Sequence, residues 1–142
     1  MNSKEKLEKA IEYAMENRPK VGGFPFLAEC LRKAGVTHNI WSLPAVMSMY
    51  LMTDGQYLIN QGVPFMTGMT EVPQFDQEAV VKAIQVDQAG ESTFTEFLEA
   101  IWKAGAWGYD VDFKKRTVTY MGAHGELYTE PYPEVEVPGL VL

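Results

Sequence analysis

The sequence is short of cysteine and of long apolar runs, and both shortages restrict the kind of protein it encodes. Its single cysteine, Cys30, cannot form a disulfide within the chain, which fits a reducing compartment. No run of about 18 apolar residues is present, so no transmembrane helix is expected. The opening stretch MNSKEKLEKAIEYAM is typical of a charged amphipathic helix and lacks the apolar core of a signal peptide. We therefore expect a cytoplasmic protein with no membrane partner.

Positive charge is also scarce. The chain has 12 lysines and arginines against 19 aspartates and glutamates, a net charge of −7. Proteins bind nucleic acid largely by neutralising phosphates with lysine and arginine. The one dense basic stretch, Lys114-Lys115-Arg116, falls at a predicted turn between strands. We therefore expect no nucleic-acid partner.

The residues that usually carry catalysis or bind metals are few. A zinc site typically needs three or four cysteine and histidine ligands, whereas this chain has Cys30, His38 and His124, far apart. Neither a phosphate-binding loop nor a Gly-x-Ser-x-Gly motif occurs. Cys30 lies on the apolar side of a predicted helix, where a thiol usually packs as a small hydrophobic group. We expect no catalytic residue, no metal and no cofactor, and the pattern favours a non-enzymatic protein without excluding an enzyme.

Two carboxylates, Asp110 and Asp112, share one side of a predicted strand. Such a pair can act as acid and base or bind a hard cation. It is also typical of the solvated face of a one-sided sheet, with lysines nearby to pair with it. The sequence leaves both interpretations open and favours the second.

Apolar periodicity and turn residues predict four helices and six strands. The first two helices end near Asn17 and Gly35, and the next two are capped by Asp76 and by a Thr93–Glu96 capping box. The predicted strands cover the ranges 36–41, 46–52, 56–59, 107–113, 117–120 and 126–128. Apolar and polar residues alternate in the range 107–113, which is typical of a strand with one buried face. We expect residues 60–74 to form a connecting loop, and residues 131–142 to form an edge strand or an extended arm whose apolar end is loose.

The second half of the chain repeats the first at an offset of 70 residues. From Phe24–Phe94 to Asn60–Glu130 the 37 aligned pairs contain seven identities, against roughly two expected from average composition. We interpret this as an internal duplication with halves at about 3–60 and 75–130 in a single domain, 1–142. The predicted fold is α+β, in which two helix-helix-β-hairpin halves share one antiparallel sheet covered by about four helices.

The second half also resembles a known family. The stretch Lys103-Ala104-Gly105, the strand Tyr109-Asp110-Val111-Asp112, a basic turn and the strand 117–122 are similar to the YdfO/YbcV-like family of small prophage-encoded proteins, some labelled "phage envelope-like". The similarity is good over residues 93–128 and much weaker before Gly90. It implies an α+β fold and a phage connection, but no activity and no catalytic residues.

Aromatic residues and methionines are the strongest functional feature of the sequence. Tyrosine and tryptophan are favoured in interfaces because they bury a large area and keep one polar group, and methionine adapts to irregular partners. The same residues could instead form an aromatic core, and those in the 60–73 loop could hold that loop onto the core. The candidate binding residues are Trp41, Tyr50, Phe65, Met66, Trp107, Tyr109 and Tyr120.

Three functions are compatible with these observations. The favoured one is a non-enzymatic module of prophage type that binds a protein partner or itself through an aromatic and methionine-rich sheet face. The first alternative is a small-molecule binder or small enzyme with a pocket at the seam between the halves, where Asp110, Tyr120 or His38 would converge. The second alternative is an acidic mimic of nucleic acid, although 19 acidic against 12 basic residues is a modest excess.

Overall fold

The structure is a computed structural model that describes residues 1–142, and it has the predicted α+β architecture of four helices and one six-stranded antiparallel sheet. None of the helices has both the length and the apolar character needed to cross a membrane. The elements are α1 (Ser3–Asn17), α2 (Gly23–Lys33), β1 (Val36–Ser42), β2 (Met47–Met52), β3 (Tyr57–Gln61), α3 (Gln77–Gln88), α4 (Phe94–Lys103), β4 (Ala106–Asp112), β5 (Thr117–Gly122) and β6 (Leu127–Pro131).

The helices begin where side chains can satisfy free backbone N–H groups. Asp76 accepts a hydrogen bond from the N–H of Ala79, and Thr93 and Glu96 form the predicted capping box. Helix α2 begins earlier than its proline suggests, at Gly23, with Gly22 in the left-handed conformation before it. The chain therefore places both helix pairs close to their predicted positions.

The strand order β3-β2-β1-β4-β5-β6 joins the two halves through their first strands. In this central pairing Ile40 lies opposite Asp110, the residue 70 positions later. The other pairings repeat with the same offset: Tyr50 pairs with Leu58 and Tyr120 with Tyr128. The sheet register is thus the same in both halves, while the common origin of the halves stays a prediction.

All four helices contribute to a core on one side of the sheet. A cluster of 19 buried residues contains side chains from both helix pairs, such as Leu31 and Leu98, and from both sheet halves, such as Met52 and Val111. A second, smaller cluster lies between α1, α2 and the C-terminal segment. Because the helices pack against one face only, the sheet keeps a second face free of helices.

The connecting segments pack against the rest of the protein to different extents. Strand β3 extends through Gln61, so the connecting segment begins two residues later than predicted. Phe65 contacts the core and its N–H bonds the carbonyl of Pro44, whereas Met69 is 99% exposed. The C-terminal residues differ from the expectation of a loose end, because Leu140 is buried against α1 and α2.

Candidate functional site: the open face of the sheet

The open face is identified by the alternation of side chains along β2. Ser48, Tyr50 and Met52 point to the helix side and are buried. The alternate residues Met47, Met49 and Leu51 are only half-buried and do not belong to either core cluster. Since successive side chains of a strand point to opposite faces, these three lie on the face without helices.

The register of the six strands extends this face into three rows that cross the whole sheet. Each row takes one residue per strand, in the order β3, β2, β1, β4, β5, β6. The rows are Gln61-Met47-Ser42-Gly108-Met121-Leu127, Ile59-Met49-Ile40-Asp110-Thr119-Thr129 and Tyr57-Leu51-His38-Asp112-Thr117-Pro131.

The two halves of this face differ in chemistry although they match in backbone. The first half presents an apolar patch, which we define as Ile40, Met47, Met49, Leu51, Tyr57 and Ile59. At the positions 70 residues later, Met49 is replaced by Thr119 and Ile59 by Thr129, whose hydroxyls lie 2.9 Å apart. Ile59 is 64% exposed and Tyr57 is 59% exposed. Large exposed apolar side chains in one contiguous patch are typical of interaction surfaces.

A histidine between two carboxylates lies at the centre of the open face. The Nδ1 of His38 is 3.0 Å from Oδ1 of Asp110, and its Nε2 is 3.9 Å from Oδ2 of Asp112. Asp112 is held in place because its Oδ1 accepts hydrogen bonds from the N–H groups of Lys114 and Lys115. The three rows contain no lysine or arginine, so this centre favours a cationic or hydrogen-bond-donating group on whatever binds there. The protein has no cluster of three or more side chains arranged to hold a metal ion.

Three of the predicted binding residues lie in the core. Tyr50, Tyr109 and Tyr120 are each at most 6% exposed, on the helix side of the sheet. The rings of Tyr109 and Tyr120 are 5.6 Å apart, and burial raises the pKa of all three hydroxyls above the ordinary tyrosine value. These tyrosines therefore form the aromatic core that was the alternative interpretation, and in this fold they present no surface to a partner.

The other four predicted residues are only partly accessible. Trp41 packs edge-on against Phe94, and its indole N–H bonds Oδ1 of Asn39. Trp107, which is 37% exposed, lies at a β-bulge and donates to the carbonyl of Gly122. Phe65 packs on the core and Met66 is half-buried. None of these four residues belongs to the rows of the open face, so their role in binding stays a prediction.

The structure brings together two of the three groups predicted to converge at the seam, but not in a pocket. His38 and Asp110 are in contact on the open face, whereas Tyr120 lies on the opposite face under the helices. Two surface cavities, of about 740 and 320 Å³, are lined by residues between 74 and 104. Neither contains His38, Asp110 or Tyr120, and both lie within the second half of the chain.

The residues of the apolar patch were not singled out from the sequence. In MSMYLM, the sequence of β2, both alternating faces carry large apolar side chains. Periodicity therefore predicts the strand but cannot tell which face the helices cover. The available signal was the comparison between halves, since apolar residues at 47, 49 and 59 correspond to threonines at 117, 119 and 129.

Comparison with known proteins identifies a family and similar proteins, but none of them has a described function. A family model described as "Protein of unknown function (DUF1398)" matches residues 12–131, far beyond the stretch 93–128 that carried the prophage resemblance. The chain is 50% identical over 133 residues to uncharacterized protein Rv2012 of Mycobacterium tuberculosis strain H37Rv and to uncharacterized protein Mb2035 of Mycobacterium bovis. In each case the similarity covers 94% of this chain and 80% of the relative.

Proposed function

This chain belongs to the DUF1398 family of proteins of unknown function, and we propose that it is a non-enzymatic protein-binding module whose partner docks on the apolar patch of the open sheet face. The proposal includes the prophage type suggested by the second half and a cytoplasmic location. The observation that carries it is the uncovered sheet face, on which large apolar side chains are concentrated in the first half.

Burial of the patch would supply the driving force for binding. Transfer of apolar surface out of water contributes about 25 cal/mol per Å², so covering several half-exposed methionine, isoleucine and tyrosine side chains is favourable. Methionine side chains are flexible and polarizable, and they suit a surface that adapts to its partner. Met47 and Met49 are neighbours along β2 on this face, between β1 on one side and β3 on the other.

The centre of the face adds a requirement on the partner's charge. Asp110 and Asp112 lie beside the patch with His38 between them and with no lysine or arginine in the rows to neutralise them. We therefore infer a protein partner with an apolar surface and a lysine or arginine placed to reach these carboxylates. A flat face of this kind supports binding better than chemistry, because a catalytic base is expected to meet its substrate in a cleft that excludes water.

The test replaces one residue in the patch and its counterpart in the other half. Met49→Asp places a charge in the centre of the patch, and Thr119→Asp places the same charge at the position 70 residues later. Both residues are half-buried outside the core clusters, so both variants should fold, which circular dichroism can check. The three proteins are immobilised and used to capture proteins from a lysate of the source organism.

We expect the wild-type protein and Thr119→Asp to retain the same stoichiometric partner, and Met49→Asp to lose it. Hydrogen exchange of the complex should then show protection in β1, β2 and β3. Retention of the partner by Met49→Asp would exclude the apolar patch as the docking surface. If the wild-type protein captures nothing in stoichiometric amount, the binding function itself is rejected.

A further inference from the structure

The outer edge of β3 carries backbone groups with no partner in the sheet. In the pairing of β2 with β3, the N–H of Met52 bonds the carbonyl of Gln56, and the N–H of Gly62 bonds the carbonyl of Val46. Hydrogen-bonded pairs alternate along an antiparallel ladder. The inward-bonding residues of β3 are therefore Leu58 and Asn60, and the N–H and C=O groups of Tyr57, Ile59 and Gln61 point outward.

The two edges of the sheet differ in how they are protected. The same hydrogen bonds recur at the other edge, from Gly122 to Glu126 and from Tyr132 to Arg116, so Leu127, Thr129 and Pro131 point outward there. Pro131 has no N–H to offer, and proline and charge are the usual means of preventing strands from pairing at an edge. Edge β3, with the sequence YLINQ, contains neither a proline nor a charged residue.

We propose that β3 pairs with β3 of a second copy of this chain, antiparallel and centred on Ile59. In this register Ile59 lies opposite its own counterpart, and Tyr57 lies opposite Gln61 in both directions. All three outward-pointing residues are then paired, giving about six backbone hydrogen bonds and one continuous twelve-stranded sheet. The occupant is a second copy because β3 itself is an uncharged strand without proline, and it carries the β-favouring residues Tyr57 and Ile59 at positions that would pair.

The pairing also joins the apolar patches of the two copies. Ile59 and Tyr57 are the outermost residues of their rows, and both are more than half exposed. Across the twofold axis the apolar patches of the two copies would meet side by side. They would form one larger apolar surface that stays accessible on the open face. A single pair of five-residue strands is a small interface, so the dimer should be weak and depend on concentration.

The test compares charges placed at the two edges. Ile59→Lys puts two lysines opposite each other at the twofold axis, whereas Thr129→Lys makes the same change at the corresponding position of β6. Sedimentation equilibrium over a wide concentration series measures dimerisation of each protein. We expect Ile59→Lys to raise the Kd of the dimer by about tenfold or more, because like charges directly opposite are unfavourable, and Thr129→Lys to leave it unchanged.

A second variant tests the hydrogen bonding without adding charge. Gln61→Pro removes an outward N–H at the position where β6 already holds Pro131, so the backbone there accepts proline. This variant should also weaken the dimer, and wild-type amide exchange at Ile59 should slow as concentration rises. A monomeric mass at all concentrations, or equal dimerisation by Ile59→Lys and the wild-type protein, would overturn the proposal. Because these measurements use the purified chain alone, they do not depend on capture of a different protein on the apolar patch.

Discussion

At the scale of single residues, Gly105 is a position with little room for change. It follows α4 with a φ of +92°, a conformation that residues with a side chain rarely adopt. An added Cβ would lie 2.5 Å from the carbonyl oxygen of Gln74 and from the Cα of Phe75, where the connecting segment crosses the end of the helix. The glycine thus allows both the helix stop and the close approach of two backbones.

A comparison with a matched glycine separates the cost of the left-handed conformation from the cost of the clash with the connecting segment. Gly125 has a similar φ of +84°, but an added Cβ there meets nothing within 4 Å. We expect Gly125→Ala to lower the free energy of unfolding by about 1–2 kcal/mol, the cost of a left-handed alanine. Gly105→Ala should cost about 1–3 kcal/mol more, because backbone atoms must also move. Chemical denaturation measures both, and equal losses would show that the connecting segment moves aside freely.

At the scale of elements, the C-terminal segment from residue 132 onward acts as a cover for the first helix pair. Val137 and Leu140 are buried in a cluster with Ala10, Ala14 and Cys30. The ammonium of Lys33 donates hydrogen bonds to the carbonyls of Val137 and Leu140, at 2.8 and 2.5 Å. Burial is the main reason that the pKa of the Cys30 thiol is raised.

Shortening one side chain tests whether this segment seals the cluster. We expect Leu140→Ala to lower the free energy of unfolding by about 2–5 kcal/mol, as large-to-small substitutions in a core do. It should also speed the labelling of Cys30 by a thiol reagent under native conditions. Val141→Ala is the control, because Val141 is 73% exposed. Unchanged stability and labelling in Leu140→Ala would mean that the segment does not pack there in solution.

The elements were more predictable from the sequence than their arrangement. The Thr93 capping box and the glycine stops at Gly35 and Gly105 are local signals, and each one appears in the structure where it was predicted. The assignment of Tyr50, Tyr109 and Tyr120 to a binding surface was not confirmed, since the helices cover that side of the sheet. Which side is covered depends on the packing of helices that lie far away in sequence. The sequence of β2 does not reveal it, because both of its alternating faces carry large apolar side chains.

At the scale of the whole molecule, matching backbone halves carry different surfaces. The strand register repeats at an offset of 70, but the open face is apolar in the first half and rich in threonine in the second. On the helix side, by contrast, Tyr50 and Tyr120 are the same residue at matching positions, and both are buried. The two halves therefore share this tyrosine on the helix side, whereas the open face and the two edges differ in chemistry between the halves.

The shared tyrosine core predicts how the whole molecule responds to alkaline solution. Burial raises the pKa of Tyr109 and Tyr120 above the ordinary value of about 10, so the folded state holds their protons more tightly than the unfolded state. The stability that this contributes is fully present below the pKa of the unfolded chain and is lost as pH rises above it. Buried tyrosines should therefore ionise together with unfolding rather than one at a time.

We expect Tyr120→Phe to move the midpoint of alkaline unfolding to higher pH, because one proton fewer is released when the core opens. The measurement follows tyrosinate absorbance and circular dichroism on the same samples as pH is raised. Tyr57→Phe is the control, since Tyr57 is 59% exposed and contributes nothing to the core. If tyrosinate absorbance rises to completion while the circular dichroism stays native, Tyr50, Tyr109 and Tyr120 are accessible to solvent, and the core is not closed as described.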